Sequence, residues 1–347
     1  MALNDDWLAL TEEDTLEPEL PICDPHHHLW DTGHEASARF RREQVEPRYL
    51  LDQLLADLGS GHNVVSTVFI ECAAMYRAAG PAEMRPVGET EFVNGIAAMS
   101  ASGQYGPTRV AAGIVGFADL NLGDGVAAVL EAHIAAGGGR FRGIRHAASW
   151  DASDDVRNSH TNPTRGMLAE PVFRAGLARL APLGLSFEAW CYHTQIGEVT
   201  DLARAFPDTT IILNHFGGPL GIGPYAGRRA DNLPQWRLDI DDLAACPNVV
   251  AKLGGVNMRS NGFDWHQREK PPSSVELAEA TRAYYEHCIE RFGPERCLFE
   301  SNFPVDKVSC GYNVLWNTFK RIAVGCSAAE KAWLFHDTAA RVYRLDG

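Results

Sequence analysis

The stretch Asp24-Pro25-His26-His27-His28-Leu29-Trp30-Asp31 sets three imidazoles in a row, just after a short apolar start at Leu20, Ile22 and Cys23. The apolar start reads as a first β-strand over about residues 21–28. Side chains alternate along a strand, so His26 and His28 share one side and His27 takes the other. Two imidazoles on one side, one residue apart, suit a divalent metal ion or a polarised, anionic substrate. The bland alternative is a histidine-rich turn with no role.

Other reactive side chains stand at the ends of apolar runs in the same way. Glu71 ends the run 64–72. Arg142, Arg145 and His146 belong to 141–146. Glu188 lies in 185–190, with His193 beyond it. His215 ends 210–215, Lys252 lies in 249–253, and Glu300 and Asn302 end 297–302. With 110–115 and the first run, these make eight short strands. Helical spacing of apolar residues is read over 49–58, 89–102, 125–136, 170–180, 196–206, 275–292, 313–323 and 328–343.

Alternating strands and helices imply an α/β fold with a parallel sheet, and eight such units close into a (β/α)8 TIM barrel. An open doubly wound sheet would carry a glycine-rich phosphate loop after its first strand, and none is present. Barrel sites lie at the C-terminal strand ends. Burying this many charges unpaired is costly, so convergence on one polar site explains them best. Residues 1–19 read as an acidic surface arm and 20–347 as a single catalytic barrel domain. Residues 32–46 read as a long loop above strand one. The Gly-, Pro- and Arg-rich stretches 217–236 and 254–274 read as loops over the site, after strands six and seven.

The chain has 347 residues, 45% of them hydrophobic and 22% charged, which is ordinary for a globular enzyme. Its net charge of −14 argues against nucleic acid or an anionic membrane as partner. A small anionic substrate stays compatible, because a site can be locally basic, and so does a homo-oligomer. No apolar run is long enough to span a bilayer, and the acidic N-terminus lacks the features of a signal peptide. The eight cysteines are scattered without a CxxC pair and read as free thiols in a reducing cytoplasm.

Three motifs carry a resemblance. Asp-x-His-x-His-x-Trp over 24–30, Asn-His-x-Gly-Gly-Pro over 214–219 and Phe-x-Ser-x-Phe-Pro over 299–304 resemble the amidohydrolase superfamily. The closer match is its lactonase-like branch, with sugar lactonases and 2-pyrone-4,6-dicarboxylate lactonase, over roughly residues 20–343. The resemblance implies that His26, His28 and His215 line the site. It also implies that the paired histidines bind a divalent metal, usually zinc, or polarise substrate without one. In that family the strand-eight motif usually reads Gly-Ser-Asp, the Asp serving as ligand and base. Here it reads Glu300-Ser301-Asn302. An amide has no useful proton affinity, so Asn302 cannot be that base.

Glu300 lies two residues before Asn302 and can share its side of the strand, either replacing the missing carboxylate or pairing with Lys252 or an arginine. Asp306, beyond Pro304, reads as a loop or cap residue. Arg145 either grips a substrate carboxylate or lactone oxygen through two donors or braces neighbouring carboxylates. Glu188 is read as site-lining and Glu71 as a partner that orients a histidine. The expected substrate contacts are Trp30, Tyr76, His146, Trp190 and His193, though His146 faces outward unless the chain turns it in.

The expected activity is hydrolysis of a small lactone or other cyclic ester or amide. With metal, zinc or manganese, the expected ligands are His26 and His28 with Glu188 or Glu300 completing the shell. Without metal, His26, His28 and Arg145 polarise the carbonyl while His215 or Glu300 activates water. The rivals are a non-oxidative decarboxylase of an aromatic or unsaturated acid, and a silent ligand-binding barrel.

Overall fold

The computed structural model describes residues 5–32 and 47–345. Most of the loop expected over 32–46 lies outside the described residues. Eight parallel strands stand side by side in sequence order. They are β1 (Ile22–His27), β2 (Val64–Ile70), β3 (Arg109–Gly116), β4 (Phe141–Arg145), β5 (Ser186–Ala189), β6 (Ile211–Leu213), β7 (Val249–Leu253) and β8 (Cys297–Phe299). The chain after β8 returns to β1: the Asn302 N–H donates to His26 O at 2.9 Å and the His28 N–H to Phe303 O at 2.8 Å. The sheet is thus a nearly closed barrel, and its seam runs between the first histidine pair and Asn302.

A helix follows each strand: α1 (Leu51–Leu58), α2 (Val87–Ala101), α3 (Ala127–Ala136), α4 (Pro171–Leu177), α5 (Ile196–Ala205), α6 (Arg229–Ala244), α7 (Ser274–Phe292) and α8 (Tyr312–Ile322). Helix α6 corrects the loop expected over 217–236. Pro234 and a largely polar sequence hide it, yet Trp236, Ile240 and Leu243 are buried at helical spacing. The period of two along β2 sorts its side chains. Phe69 packs among the helices, while Val68 and Ile70 fill the barrel interior with Val115, Ile212, Val250 and Leu298. Ala339, Val342, Tyr343 and Leu345 join that interior cluster, so the C-terminal helix (Thr338–Tyr343) packs onto the barrel floor. Arg109 and Arg142 fasten it there, donating to the carbonyls of Leu345 and Tyr343.

Several strands end earlier than their apolar runs suggest, and Glu71, His215, Glu300 and Asn302 lie just past them. His215 and Asn302 take left-handed backbone, with φ of 52° and 55°. Such conformations are costly for non-glycine residues and tend to cluster where side chains must be aimed for function. The loops after β6 and β7 meet above the barrel at Gly221 and Gly262. A Cβ on Gly221 would stand 2.1 Å from Asn261 O, so this crossing requires glycine. Residues 5–19 lie against the loop after β7 and helix α8: Trp7 donates to Arg268 O at 3.0 Å and the Leu16 N–H to Asn317 Oδ1 at 2.9 Å. All eight cysteines are free, and no described helix is long and apolar enough to cross a membrane.

Candidate active site

A cavity of about 370 Å³ opens among the C-terminal strand ends, bordered by His28, Trp30, Arg145, Trp190, His215 and Asn302. His160 and Tyr192 also border it, as do Arg157 and Arg259. Next to this cavity, and shut off from solvent, lie His26, Glu188, Lys252 and Glu300.

Glu300 joins the two histidines. Its Oε1 lies 2.6 Å from His215 Nδ1 and its Oε2 lies 2.6 Å from His26 Nδ1. The other nitrogen of His26 faces Arg145 Nη1 at 3.2 Å. A guanidinium only donates, so His26 Nε2 accepts and Nδ1 carries the ring hydrogen towards Glu300. Burial pushes the Glu300 carboxyl up to about 8 even though Lys252 pulls the other way. Burial, reinforced by nearby cations, holds His26 and His215 well below the usual histidine range, so both rings are neutral at pH 7.

Arg145 is held on its other side by Glu71. Its Nε donates to Glu71 Oε1 at 2.7 Å and its Nη2 to the Glu71 carbonyl. Burial opposes the charge on Glu71, but Arg145 and then His160, 3.3 Å from Oε2, outweigh it and hold the carboxyl low. Arg145 therefore lines the cavity and braces the Glu71 carboxylate, the second of the two roles weighed for it above. Arg142 points to the barrel floor.

Glu188, expected beside the metal, has other partners. Its Oε2 pairs with Lys252 Nζ at 3.0 Å and accepts from Asn214 Nδ2, while Oε1 accepts from the Tyr343 hydroxyl. Lys252 Nζ also lies 3.3 Å from His26 Nδ1 and 3.9 Å from Glu300 Oε2.

His28 borders the cavity but stands apart from the Glu300 group. Its Nδ1 lies 2.8 Å from Ile70 O and so carries the hydrogen. Burial and Arg145 keep the ring neutral. Its Nε2 then keeps a lone pair, 3.3 Å from Asn302 Oδ1. Asn302 Nδ2 faces Asp306 Oδ1 at 3.1 Å, and Asp306 also accepts from the Asn257 N–H at 3.3 Å. Asp306 is therefore a buried carboxyl set one turn beyond Asn302 and in direct contact with its amide.

The residues whose side chains could together ligate a divalent ion are His26, His215 and Glu300, whose ligand atoms lie within 4.8 Å of one another. Two imidazoles and one carboxylate match a catalytic zinc site of three protein ligands. Glu300 Oε2, however, already faces His26 Nδ1 at 2.6 Å and Lys252 Nζ at 3.9 Å. Of the expected shell, His26 and His28 with Glu188 or Glu300, this set keeps His26 and Glu300 and has His215 in place of His28: His28 bonds to Ile70 O, and Glu188 is taken by Lys252 and Tyr343. Manganese, weighed beside zinc, prefers oxygen-rich shells that this set does not offer.

Of the expected substrate contacts, Trp30 and Trp190 border the cavity, whereas Tyr76, His146 and His193 do not. His146 follows Arg145 on the opposite side of the strand and packs between Phe117 and Phe173, accepting from the Leu120 N–H. His193 accepts from the Leu220 N–H beneath the β6 loop, and the Tyr76 hydroxyl is buried without a hydrogen-bond partner among the described residues. His160, Arg157 and Tyr192 were not singled out. They come from or beside the polar loop after β4, where no apolar run marks them.

A (β/α)8 barrel with a cavity and a buried centre at its C-terminal strand ends is an enzyme architecture. The chain belongs to the amidohydrolase family, whose sequence pattern, described as Amidohydrolase, matches residues 23–345. It is 34% identical over 343 residues to the uncharacterized protein y4mH of Sinorhizobium fredii, covering 94% of this chain and 99% of that one. It is 28% identical over 238 residues to an L-fucono-1,5-lactonase of Burkholderia multivorans, covering 68% and 72% of the two chains. A crystal structure of a Burkholderia multivorans amidohydrolase with bound zinc shares the fold, with a TM-score of 0.70 at 24% identity over 93% of this chain and 99% of that one.

Proposed function

We propose that this protein hydrolyses a small lactone by attack of water on the ring carbonyl. The observation that carries the reading is the pairing of His215 with Glu300. Glu300 takes Nδ1, so Nε2 is the atom left to accept a proton, on a ring that borders the cavity. A base oriented by a buried carboxylate is the arrangement that activates a weak nucleophile. His28 Nε2 and Asn302 Oδ1 add two acceptors side by side, a seat for a water that donates to both. Arg145, fixed by Glu71, sets a positive charge at the wall, where the carbonyl oxygen gains negative charge as water adds. The proton taken by His215 can then pass to the leaving ring oxygen.

The likeness to an L-fucono-1,5-lactonase supports the lactone class, and Trp30 and Trp190 offer flat walls to a small ring.

The test is pH-stat assay with L-fucono-1,5-lactone and L-rhamnono-γ-lactone, above the uncatalysed rate, for wild type and His215→Asn. One acid gained per lactone opened, and lost in the variant, is expected. Carbon dioxide released from aromatic acids, with no lactone opened, would overturn the reading in favour of a decarboxylase.

A further inference from the structure

The His26, His215 and Glu300 group has a neighbour that a metal centre would not choose. Lys252 is fully buried, and its Nζ lies 3.3 Å from His26 Nδ1 and 3.9 Å from Glu300 Oε2. These atoms belong to two of the three residues that would ligate an ion. We infer that Lys252 is the resident cation of this centre and keeps divalent ions from binding there tightly.

Three observations carry this. Lys252 cannot swing aside: it is buried in the barrel, pairs with Glu188 at 3.0 Å and has the Tyr343 ring 5.5 Å from Nζ. Glu188 is itself fixed by the Tyr343 hydroxyl and by Asn214. Second, the charges nearly balance without a metal. Arg145 answers Glu71, and Lys252 answers Glu188 while leaning towards Glu300. An ion entering here meets a fixed ammonium in a low-dielectric interior, where like charges repel strongly. Third, both ring nitrogens of His26 face a cation, Nε2 with Arg145 Nη1 at 3.2 Å and Nδ1 with Lys252 Nζ at 3.3 Å, so neither is open to an ion without displacing one of them. Without Lys252, two buried carboxylates, Glu188 and Glu300, lose their cation, and a divalent ion becomes the natural replacement.

The test needs no substrate, so it stands or falls separately from the lactonase reading. Protein stripped with a chelator is titrated with zinc by calorimetry, and metal content is measured after dialysis. The variants are Lys252→Met, the double variant Lys252→Met/Glu188→Gln (which removes the carboxylate paired most closely with Lys252 should the single one fail to fold) and Lys252→Met/Glu300→Gln. Removing Lys252 is expected to tighten zinc binding about a hundredfold, to one ion per chain. That gain should vanish with Glu300→Gln. Equal zinc affinity with and without Lys252, whether strong or absent, overturns the inference. So does a gain that survives Glu300→Gln, because the ion would then sit elsewhere.

Discussion

His215 Nδ1 lies 2.6 Å from Glu300 Oε1, and neither side chain is more than 3% exposed. A carboxylate so placed fixes which ring nitrogen carries the hydrogen and stabilises the imidazolium that forms when the ring takes a proton. Glutamine has nearly the same shape but cannot ionise to balance an imidazolium. Glu300→Gln should therefore lower kcat by about 10²–10⁴, with KM changed little, because the loss falls on the transition state. His215→Asn should do the same. Steady-state kinetics on a lactone that the wild type opens would check both, and unchanged kcat in His215→Asn would remove His215 from the chemistry.

The pair Asn302 and Asp306 predicts an exchange. Asn302→Asp would set two buried carboxyls about as close as the present 3.1 Å contact. Both cannot ionise there, so one must hold a proton. The single variant should be less stable than wild type at pH 8 by about 3 kcal/mol. Adding Asp306→Asn restores one acid and one amide in reversed order and should recover most of the loss. Urea unfolding of the two single variants and the double would measure the coupling, and additive effects would show that the residues do not interact.

Asp306 also predicts a pH dependence. Burial pushes its carboxyl up to about 8, although Asn302 and Asn257 donate to it. The unfolded chain releases this proton near pH 4, so at intermediate pH the folded state binds more protons than the unfolded one. This contribution therefore falls as pH rises from about 4 to about 8, by at most about 1.4 kcal/mol per unit. Asp306→Asn removes it. The stability difference between about pH 6 and pH 8 should be smaller in the variant, as read by chemical denaturation. An identical difference in the two proteins would show that Asp306 does not titrate there.

The alternation of strands and helices was legible because β-strand and helix periods differ, and the polar residues after each strand marked the face that carries the cavity. Depth along the barrel was not legible. A period of two places both Glu188 and Glu300 inward, but not that Glu188 meets Lys252 and the C-terminal tyrosine while Glu300 meets the histidines. Nor does it show that left-handed backbone at His215 and Asn302 re-aims those side chains. His146 illustrates the parity rule: one residue past Arg145, it faces the helices. His160 had no signal at all, since a side chain delivered by a loop follows no period.

Tyr343 shows how far the centre's support extends. It comes from the last helix, on the barrel floor, yet its hydroxyl donates to Glu188, which holds Lys252 in turn. Tyr343→Phe keeps the ring that packs inside the barrel and removes only that donor. Glu188 would keep Lys252 and Asn214 on its other oxygen, so the fold should survive, with a loss of about 1–3 kcal/mol for the acceptor left unpaired. Tyr343→Ala also empties ring volume from a packed interior and should cost more, about 3–5 kcal/mol, like other large aromatic truncations. Urea denaturation of the two variants separates the hydroxyl from the ring. If Tyr343→Phe matches the wild type within error, the hydroxyl contributes nothing to holding Glu188, and Lys252 is fixed by its ion pair alone.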